Sequence, residues 1–281
     1  MAAGTSSRFV PLSVERPKGL VEVKGEILIE RQIRQLKEAG ITDITLVVGY
    51  KAEMFAYLRD KYAVDIVYNE DFTRYNNTSS LIRVIEKLDN TFICSSDNYF
   101  PENVFTRESV DSYYSALYAE GKTNEYCLIT DAEDQITDVK VGGHDSWYMV
   151  GHVFFNHEFS EKFRKLMIKE YCNETTKQGY WEDLYIRYID QLPKMKINRY
   201  QEGDIQEFDS LDELRMFDES YKNDTRSSIV KQICKQLEVG EACVHAFRNI
   251  KHKGNYLQFQ FKVYDDVYEY NAENGIEIKK I

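Results

Sequence analysis

Between Ile27 and Asp97 the chain alternates helical and strand patterning at a spacing that few folds accommodate. From Ile27 to Gly40, apolar residues fall at Ile29, Ile33, Leu36 and Ala39, the stripe of a helix with one buried face, and Gly40 is placed to end it as the C′ residue. Ile44-Thr45-Leu46-Val47-Val48 then reads as a β-branched strand closed by Gly49. A second helical stripe (Met54, Leu58, Tyr62) leads to a strand from Val64 to Tyr68, and a third (Leu81, Ile82, Ile85, Leu88) leads to one from Thr91 to Ser95. Strand, helix, strand at these spacings means βαβ units. The expected core is therefore α/β, a largely parallel sheet with helices on both faces, and ligands are expected at the carboxyl ends of its strands. Asp97 falls just past such an end.

Further on, the stretch from Cys127 through Lys140 and Met149 to Phe155 reads as strand-rich, and Glu161 to Cys172 and Trp181 to Leu192 read as helical. The polar segment from Asp218 to Ser228 has almost no apolar residue except Tyr221, so it reads as a linker. Beyond it, Ile229, Ile233 and Leu237 mark a helix. Leu257, Phe259, Phe261 and Val263, then Val267, Tyr268 and Tyr270, mark a hairpin turning at Asp265-Asp266. The expected division is a main domain over 1–220 and a small α+β appendage over 228–281.

A net charge of -11 argues against a nucleic-acid-tracking surface, which needs a basic face. Cys94, Cys127, Cys172, Cys234 and Cys243 are odd in number and widely spaced, so they read as reduced and mostly buried. His144, His152, His157, His245 and His252 show no zinc-binding spacing. The longest apolar run, Ile41 to Tyr50, is interrupted by Thr42, Asp43 and Thr45 and is far short of the ~20 residues that span a bilayer. With no signal-peptide pattern, a cytoplasmic protein that handles small molecules is expected.

The stretch most informative about chemistry is Ala2-Ala3-Gly4-Thr5-Ser6-Ser7-Arg8-Phe9, followed by Pro11-Leu12 and Pro17-Lys18-Gly19-Leu20. A Gly-led loop of small hydroxyl residues lets successive backbone N–H groups converge on phosphate oxygens, and Arg8 and Lys18 supply the charge a polyphosphate demands. It is neither the P-loop nor the dinucleotide G-x-G-x-x-G pattern. Taken alone, it reads equally as a surface turn with incidental basic residues.

Together, these two segments resemble the signature of nucleoside-diphosphate-sugar-type nucleotidyltransferases. Within that superfamily, Tyr75-Asn76-Asn77-x-x-Ser80-Leu81, Asp97-Asn98-Tyr99, Tyr180-Trp181-Glu182-Asp183 and Glu207-x-Asp209-Ser210 resemble bacterial CTP:phosphocholine cytidylyltransferases, over residues 2 to about 217. The resemblance implies a Rossmann-like three-layer fold with a mixed, mostly parallel sheet, and Mg²⁺-dependent transfer of a cytidylyl group from CTP to phosphocholine or a related phospho-amine, in the service of cell-surface glycopolymers. It implies Lys18 on the α-phosphate, Arg8 on the β- and γ-phosphates, and Asp97 and Asp209 as magnesium ligands. Ala3, Gly4, Thr5, Ser6, Ser7, Tyr50, Asn77 and Ser80 would then hold the nucleotide. For the acceptor, Trp147, Tyr148, Tyr180, Trp181 and Glu182 offer the ring faces and carboxylate that a quaternary ammonium needs.

Alternatives stand beside these roles. Asp97 reads equally as a turn residue, and Asp209 lies in an acidic run that suits a solvated face or, with Ser210, a helix cap. Both tryptophans suit a core. A sugar-1-phosphate nucleotidyltransferase would share the loop and the acids, and a non-catalytic nucleotide-binding or assembly protein is the reading of another class. The family's apolar first strand, which precedes Ala-Ala-Gly, has no counterpart here, so two neighbouring strand edges are expected to be open. The tail, from its helix through Asn249-Ile250-Lys251 to Asn274-Gly275, faintly resembles the opening of choline-kinase-like domains.

Overall fold

The computed structural model describes residues 1–250, 257–273 and 277–281; Lys251 and Asn274-Gly275 of the expected tail motif lie outside them. In chain order the elements begin with α1 (Leu12–Glu15), β1 (Glu22–Val23), β2 (Glu26–Ile27), α2 (Leu28–Glu38), β3 (Thr45–Val48), α3 (Tyr57–Tyr62), β4 (Asp65–Tyr68) and α4 (Thr78–Ile82). Next come β5 (Thr91–Cys94), β6 (Asn98–Tyr99), β7 (Tyr113–Thr130), β8 (Ile136–Phe155), α5 (His157–Glu170), α6 (Glu174–Gln178), α7 (Trp181–Arg187), β9 (Lys196–Arg199) and β10 (Gln206–Glu207). The chain closes with α8 (Leu211–Phe217), α9 (Ser228–Leu237), β11 (Val244–Asn249), β12 (Gln258–Val263), β13 (Asp266–Asn271) and β14 (Glu277–Lys280). The fold is Rossmann-like α/β with a mixed sheet. By packing, the residues fall into two compact units: residues 1–4 with 29–207, and residues 5–28 with 208–281.

In the first unit, α2 buries Ile29, Ile33 and Leu36, and Gly40 ends it at φ +78°. β3 pairs with β4 in parallel, and a second sheet has the order β5-β8-β7-β9 with β7 and β9 parallel. Ala2 bridges to β3 in parallel register. Among the described residues β3 and β5 share no strand pairing, and Met1 and Ala2 lie between their ends, with Ala2 N donating to Val47 O at 2.7 Å and Ser96 N donating to Met1 O at 3.1 Å. Gly49 lets the chain pass close by: a Cβ there would meet Phe72 at 2.7 Å and the Ala3 carbonyl at 2.9 Å. β7 and β8 form a hairpin of 18 and 20 residues with several register shifts, longer than the strand pattern indicates. The core gathers Ile93, Phe155, Phe159, Phe163, Trp181 and Tyr185 among others. His152 is buried between Tyr113 Oη (3.2 Å) and Ser115 Oγ (3.1 Å), and burial pushes its pKa down to about 3, so it is a neutral interior residue.

In the second unit, α9 accompanies the antiparallel sheet β11-β12-β13-β14. The hairpin turns at Tyr264-Asp265, one residue earlier than the pattern suggests, with Tyr264 at φ +53°. The polar stretch read as a linker is packed. Asp218, Tyr221, Thr225 and Ser227 are buried; Asp218 Oδ2 accepts from Lys24 N at 2.7 Å, and Tyr221 Oη donates to the Glu22 carbonyl at 2.6 Å. The polar groups of these four serve internal hydrogen bonds, while Glu219, Ser220, Asn223 and Asp224 face solvent. Cys127 and Cys234 are buried and Cys172 is exposed, and all five thiols are free.

Candidate active site

The first unit contributes a carboxylate platform. Past β5 the chain makes a tight turn that presents Asp97, partly exposed, before entering β6. This turn is clamped from α2: Gln32 Nε2 donates to the carbonyls of Ser95 (2.8 Å) and Asn98 (2.7 Å), on either side of Asp97. Gln35 Nε2 likewise donates to Phe100 O at 2.9 Å. Sequence reasoning misses both glutamines, because nothing in the pattern of α2 sets a buried amide apart from a surface one. β6 is closed from the other side by β10, with Asn98 opposite Glu207.

Around the start of α7 the same unit builds a second polar centre. Glu182 accepts from Asn77 Nδ2 at 3.1 Å and from Tyr114 Oη at 3.2 Å, while Asn77 Oδ1 accepts from Trp181 N at 2.8 Å. Burial pushes the Glu182 carboxyl up to about 7, against the pull of the Asn77, backbone and Tyr114 hydrogen bonds, and Asp183 adds to the rise. A half-buried carboxylate held by neutral donors would gain most from a positively charged ligand. Tyr180, which caps α7 through Asp183, is exposed.

The rings divide differently from the sequence expectation. Trp181 is 1% exposed, stacked on Tyr114 at 5.9 Å and edge-on to Phe155 and Phe163, so its ring belongs to the core. Trp147 is half-buried on β8, with Tyr118 edge-on at 5.3 Å and the Arg199 guanidinium 5.4 Å from its centroid. Tyr148 is half-buried beside it. Ser80 is buried and accepts from Asn69 Nδ2 at 3.0 Å, as Ser79 does at 2.9 Å, which gives it a structural contact at the end of β4. Tyr50 N donates to the Ala3 carbonyl at 3.1 Å. A Cβ at Gly4 would meet nothing within 4 Å, and its φ is not positive, so the local backbone makes no demand for glycine there.

The second unit holds Thr5, Ser6, Ser7, Arg8 and Lys18, the basic part of the loop that the sequence leads one to expect at a phosphate. Ser6 takes the left-handed conformation at φ +48°, and Ser7, Arg8 and Phe9 form a single 3-10 turn after it; Thr5 precedes them. The strained position of the loop is thus a serine. Arg8 Nη1 lies 2.7 Å from Asp209 Oδ2, and Lys18 Nζ lies 3.5 Å from Asp209 Oδ1 and 5.9 Å over the Phe9 ring. Lys18 is 5% exposed and Arg8 78%. The sequence-predicted trio Arg8, Lys18 and Asp209 is therefore brought together. The cap of α8 is Ser210, which accepts from Glu213 N at 3.2 Å, while Glu213 Oε2 accepts from Asp209 N at 2.7 Å. Asp209 itself is left to face the two cations.

No group of three or more His, Cys, Asp or Glu side chains able to hold a metal occurs among the described residues. Asp97 in the first unit and Asp209 in the second each offer hard oxygen donors, of the kind a magnesium ion takes when phosphate and water supply the rest of its ligands.

The fold is that of a nucleotidyltransferase. A family model described as a MobA-like NTP transferase domain matches residues 1–132. The chain is 34% identical over 224 residues to choline-phosphate cytidylyltransferase of Streptococcus pneumoniae, covering 80% of this chain and 97% of that one. It is 33% identical over 225 residues to 2-aminoethylphosphonate cytidylyltransferase of Lancefieldella rimae, covering 79% and 91%. The solved structure of the CTP:phosphocholine cytidylyltransferase from Streptococcus pneumoniae matches at 34% identity with a TM-score of 0.75, covering 79% of this chain and 96% of that one. A putative glucose-1-phosphate thymidylyltransferase from Bacillus anthracis, 16% identical with a TM-score of 0.61 over 76% of this chain and 90% of that one, shares the fold. The chain belongs to the family of bacterial choline-phosphate cytidylyltransferases and is an enzyme of the nucleotidyltransferase class. Among the described residues no helix is long and apolar enough to cross a membrane.

Proposed function

We propose that the enzyme transfers the cytidylyl group of CTP to phosphocholine. A phosphate oxygen of the acceptor attacks the α-phosphorus of CTP, the bond to the β-phosphate oxygen breaks, and CDP-choline and pyrophosphate result. Lys18 takes the α-phosphate and stabilises the charge that develops there, and Arg8 takes the departing β- and γ-phosphates. Asp97 and Asp209 would each offer a carboxylate to Mg²⁺, which would neutralise phosphate charge. Ala3, Gly4, Thr5, Ser6 and Ser7 line the triphosphate, with Tyr50 and Asn77 toward the base. We place the nucleotidyltransferase domain in residues 1–220, with 228–281 a helix-hairpin addition, and the reaction in the cytoplasm, ahead of glycopolymer decoration.

The observation that carries the choice of acceptor is Glu182, a carboxylate enclosed with Asn77 and Tyr114 and destabilised as an anion until a cation reaches it. A sugar-1-phosphate has no such cation. Two observations favour 2-aminoethylphosphonate as a second reading: the similarity to the Lancefieldella rimae protein, and the burial of Trp181, which removes one ring from a quaternary-ammonium cage.

The experiment is pyrophosphate release with CTP, UTP, dTTP or ATP against phosphocholine, phosphoethanolamine, 2-aminoethylphosphonate and glucose-1-phosphate. CTP with phosphocholine is expected to give the highest kcat/KM. A tenfold preference for 2-aminoethylphosphonate selects the second reading, and release with glucose-1-phosphate alone overturns both.

A further inference from the structure

Within the second unit, β11 runs beside both halves of the cluster formed by Arg8, Lys18 and Asp209: beside the turn Ser7–Phe9, which carries Arg8, and beside α8, which follows Asp209. Two side chains of α8 fasten it there. Arg215, buried, donates from Nη1 to the Val244 carbonyl at 2.6 Å, from Nη2 to the Glu241 carbonyl at 2.9 Å and from Nε to the Tyr221 carbonyl at 3.2 Å. Asp212, in the first turn of α8, accepts from Ala246 N on Oδ2 at 2.7 Å and from Arg215 Nη1 on Oδ1 at 3.3 Å. The strand is irregular at that point. Its pairing with β12 shifts register between His245 and Arg248, and Ala246 takes a left-handed φ of +52°. An alanine in this region is strained, and a bulge turns a backbone group out of the ladder; the N–H turned out here is the one Asp212 takes. The same turn of α8 fixes Asp209, since Glu213 Oε2 accepts from Asp209 N at 2.7 Å. From Ala246 to Asp209 the linkage is one side chain, one helical turn and one hydrogen bond. The chain between Arg8 and Lys18 is tied to the same module, because Glu15 Oε1 accepts from Ser228 N at 2.7 Å and Ile229 N at 3.3 Å at the start of α9.

We propose that the module formed by α9 and the sheet β11-β12-β13-β14 is the backing of the triphosphate site, and that Asp212 is a positioning residue for the reaction. By holding α8 to the bulge at Ala246, Asp212 keeps the Asp209 carboxylate in register with Lys18 and Arg8. The inference rests on the roles proposed above for those three residues. It gives the bulge of β11 a part in the reaction although none of its side chains is placed on a substrate. A displacement of about 1 Å at a reacting group can cost about a hundredfold in rate. The loss of this hold therefore falls on the nucleotide and its metal ion, and spares the acceptor, whose proposed carboxylate, Glu182, belongs to the first unit.

The test compares Asp212→Ala and Asp212→Asn with the wild type in the full chain, by pyrophosphate release from CTP and phosphocholine well below the thermal midpoint of each protein. Asp212→Ala removes both acceptor oxygens. It is expected to lower kcat about tenfold or more and to raise the Mg²⁺ concentration for half-maximal rate about fivefold, with the KM for phosphocholine within about twofold of the wild type. Asp212→Asn keeps one oxygen for Ala246 N and is expected to bring kcat back to within about threefold. Asp212→Ser suits the first turn of a helix but is too short to reach Ala246 N, so it is expected to follow the alanine variant and replaces it if that variant does not fold. A change confined to the thermal midpoint overturns the proposal. So does an equal loss for nucleotide and acceptor, or an asparagine variant no better than alanine. Lys18→Met is measured alongside: if it leaves kcat/KM for CTP unchanged, the phosphate-site reading fails and takes this inference with it. If Lys18→Met is impaired and Asp212→Ala is not, this inference alone fails.

Discussion

The side-chain amide of Gln32 donates to the carbonyl of Asn98 at 2.7 Å, and the same nitrogen reaches Ser95 O at 2.8 Å, so one side chain of α2 spans the turn that presents Asp97. A turn held from the middle of a helix keeps its carboxylate in place without engaging that carboxylate in the clamp. Gln32→Leu, which keeps the volume and removes the donor, is expected to leave two carbonyls without this partner. The cost is about 2–3 kcal/mol of stability by urea unfolding, with kcat reduced at least tenfold and the KM for CTP changed less.

Asp97→Asn keeps the shape of the turn and removes the charge. The Mg²⁺ concentration for half-maximal pyrophosphate release is expected to rise at least tenfold, and Asp97→Ala is expected to cost ~2 kcal/mol or more in kcat/KM. Unchanged magnesium dependence in Asp97→Asn would remove Asp97 from the metal assignment.

Lys18 is buried beside Asp209, whereas Arg8 reaches it from solvent. Loss of Lys18 removes the cation held out of water and leaves Asp209 only Arg8, whereas loss of the exposed Arg8 is screened by water. Lys18→Met is therefore expected to lower kcat/KM by a factor of about 10² or more. Arg8→Met should mainly raise the KM for CTP and hardly move the thermal midpoint. Equal effects of the two on stability would contradict the difference in burial.

Glu182 supplies a pH signature. Its carboxyl lies at about 7 in the folded protein against an ordinary value of 4.5, so the folded state holds the proton more tightly than the unfolded one. Stability linked to this group is present below about 4.5 and is lost as pH rises through about 7. Glu182→Gln should thus gain on the wild type over that window, by about 1–3 kcal/mol at pH 8. Acceptor binding runs the opposite way, since only the ionised carboxylate attracts an ammonium. The KM for phosphocholine should fall as pH rises from about 6 to about 8 in the wild type, with that component absent in Glu182→Gln.

The two tryptophans separate core from pocket. Trp181→Phe is expected to lower stability by about 1–3 kcal/mol and leave the ratio of kcat/KM for phosphocholine and 2-aminoethylphosphonate unchanged. Trp147→Leu should shift that ratio at least threefold. A shift in Trp181→Phe of the same size would return that ring to the acceptor pocket.

Much of the scaffold is legible because it obeys one rule per element. The stripe at Ile29, Ile33 and Leu36 marks the buried face of α2, and Gly40 ends it in the left-handed conformation expected of a C′ glycine. Arg8, Lys18 and Asp209 are legible only as a family pattern, since nothing local brings residues so far apart in sequence to one point. The full β7–β8 hairpin stays hidden because its register shifts break the period of two on which strand reading depends. Gln32 stays hidden because a buried amide in a helix looks like a surface residue until its carbonyl partners are known. The stretch from Asp218 to Ser228 misleads for the same reason, because Asp218, Thr225 and Ser227 within it are buried and bonded to neighbouring backbone and side chains. Trp181 shows the limit of composition: a ring beside an acid reads as a cage, and only packing reveals that the amide and the acid form the polar centre while the ring serves the core.

Asp209 already sits against both Arg8 and Lys18. Any anion arriving at these cations must therefore displace a resident counter-ion, and the site behaves as an ion exchanger with a threshold rather than as an open positive patch. A monovalent anion offers no more charge than the carboxylate it would replace. A triphosphate would offer several, and on the proposed roles it would free Asp209 to serve as an oxygen ligand for an accompanying metal ion.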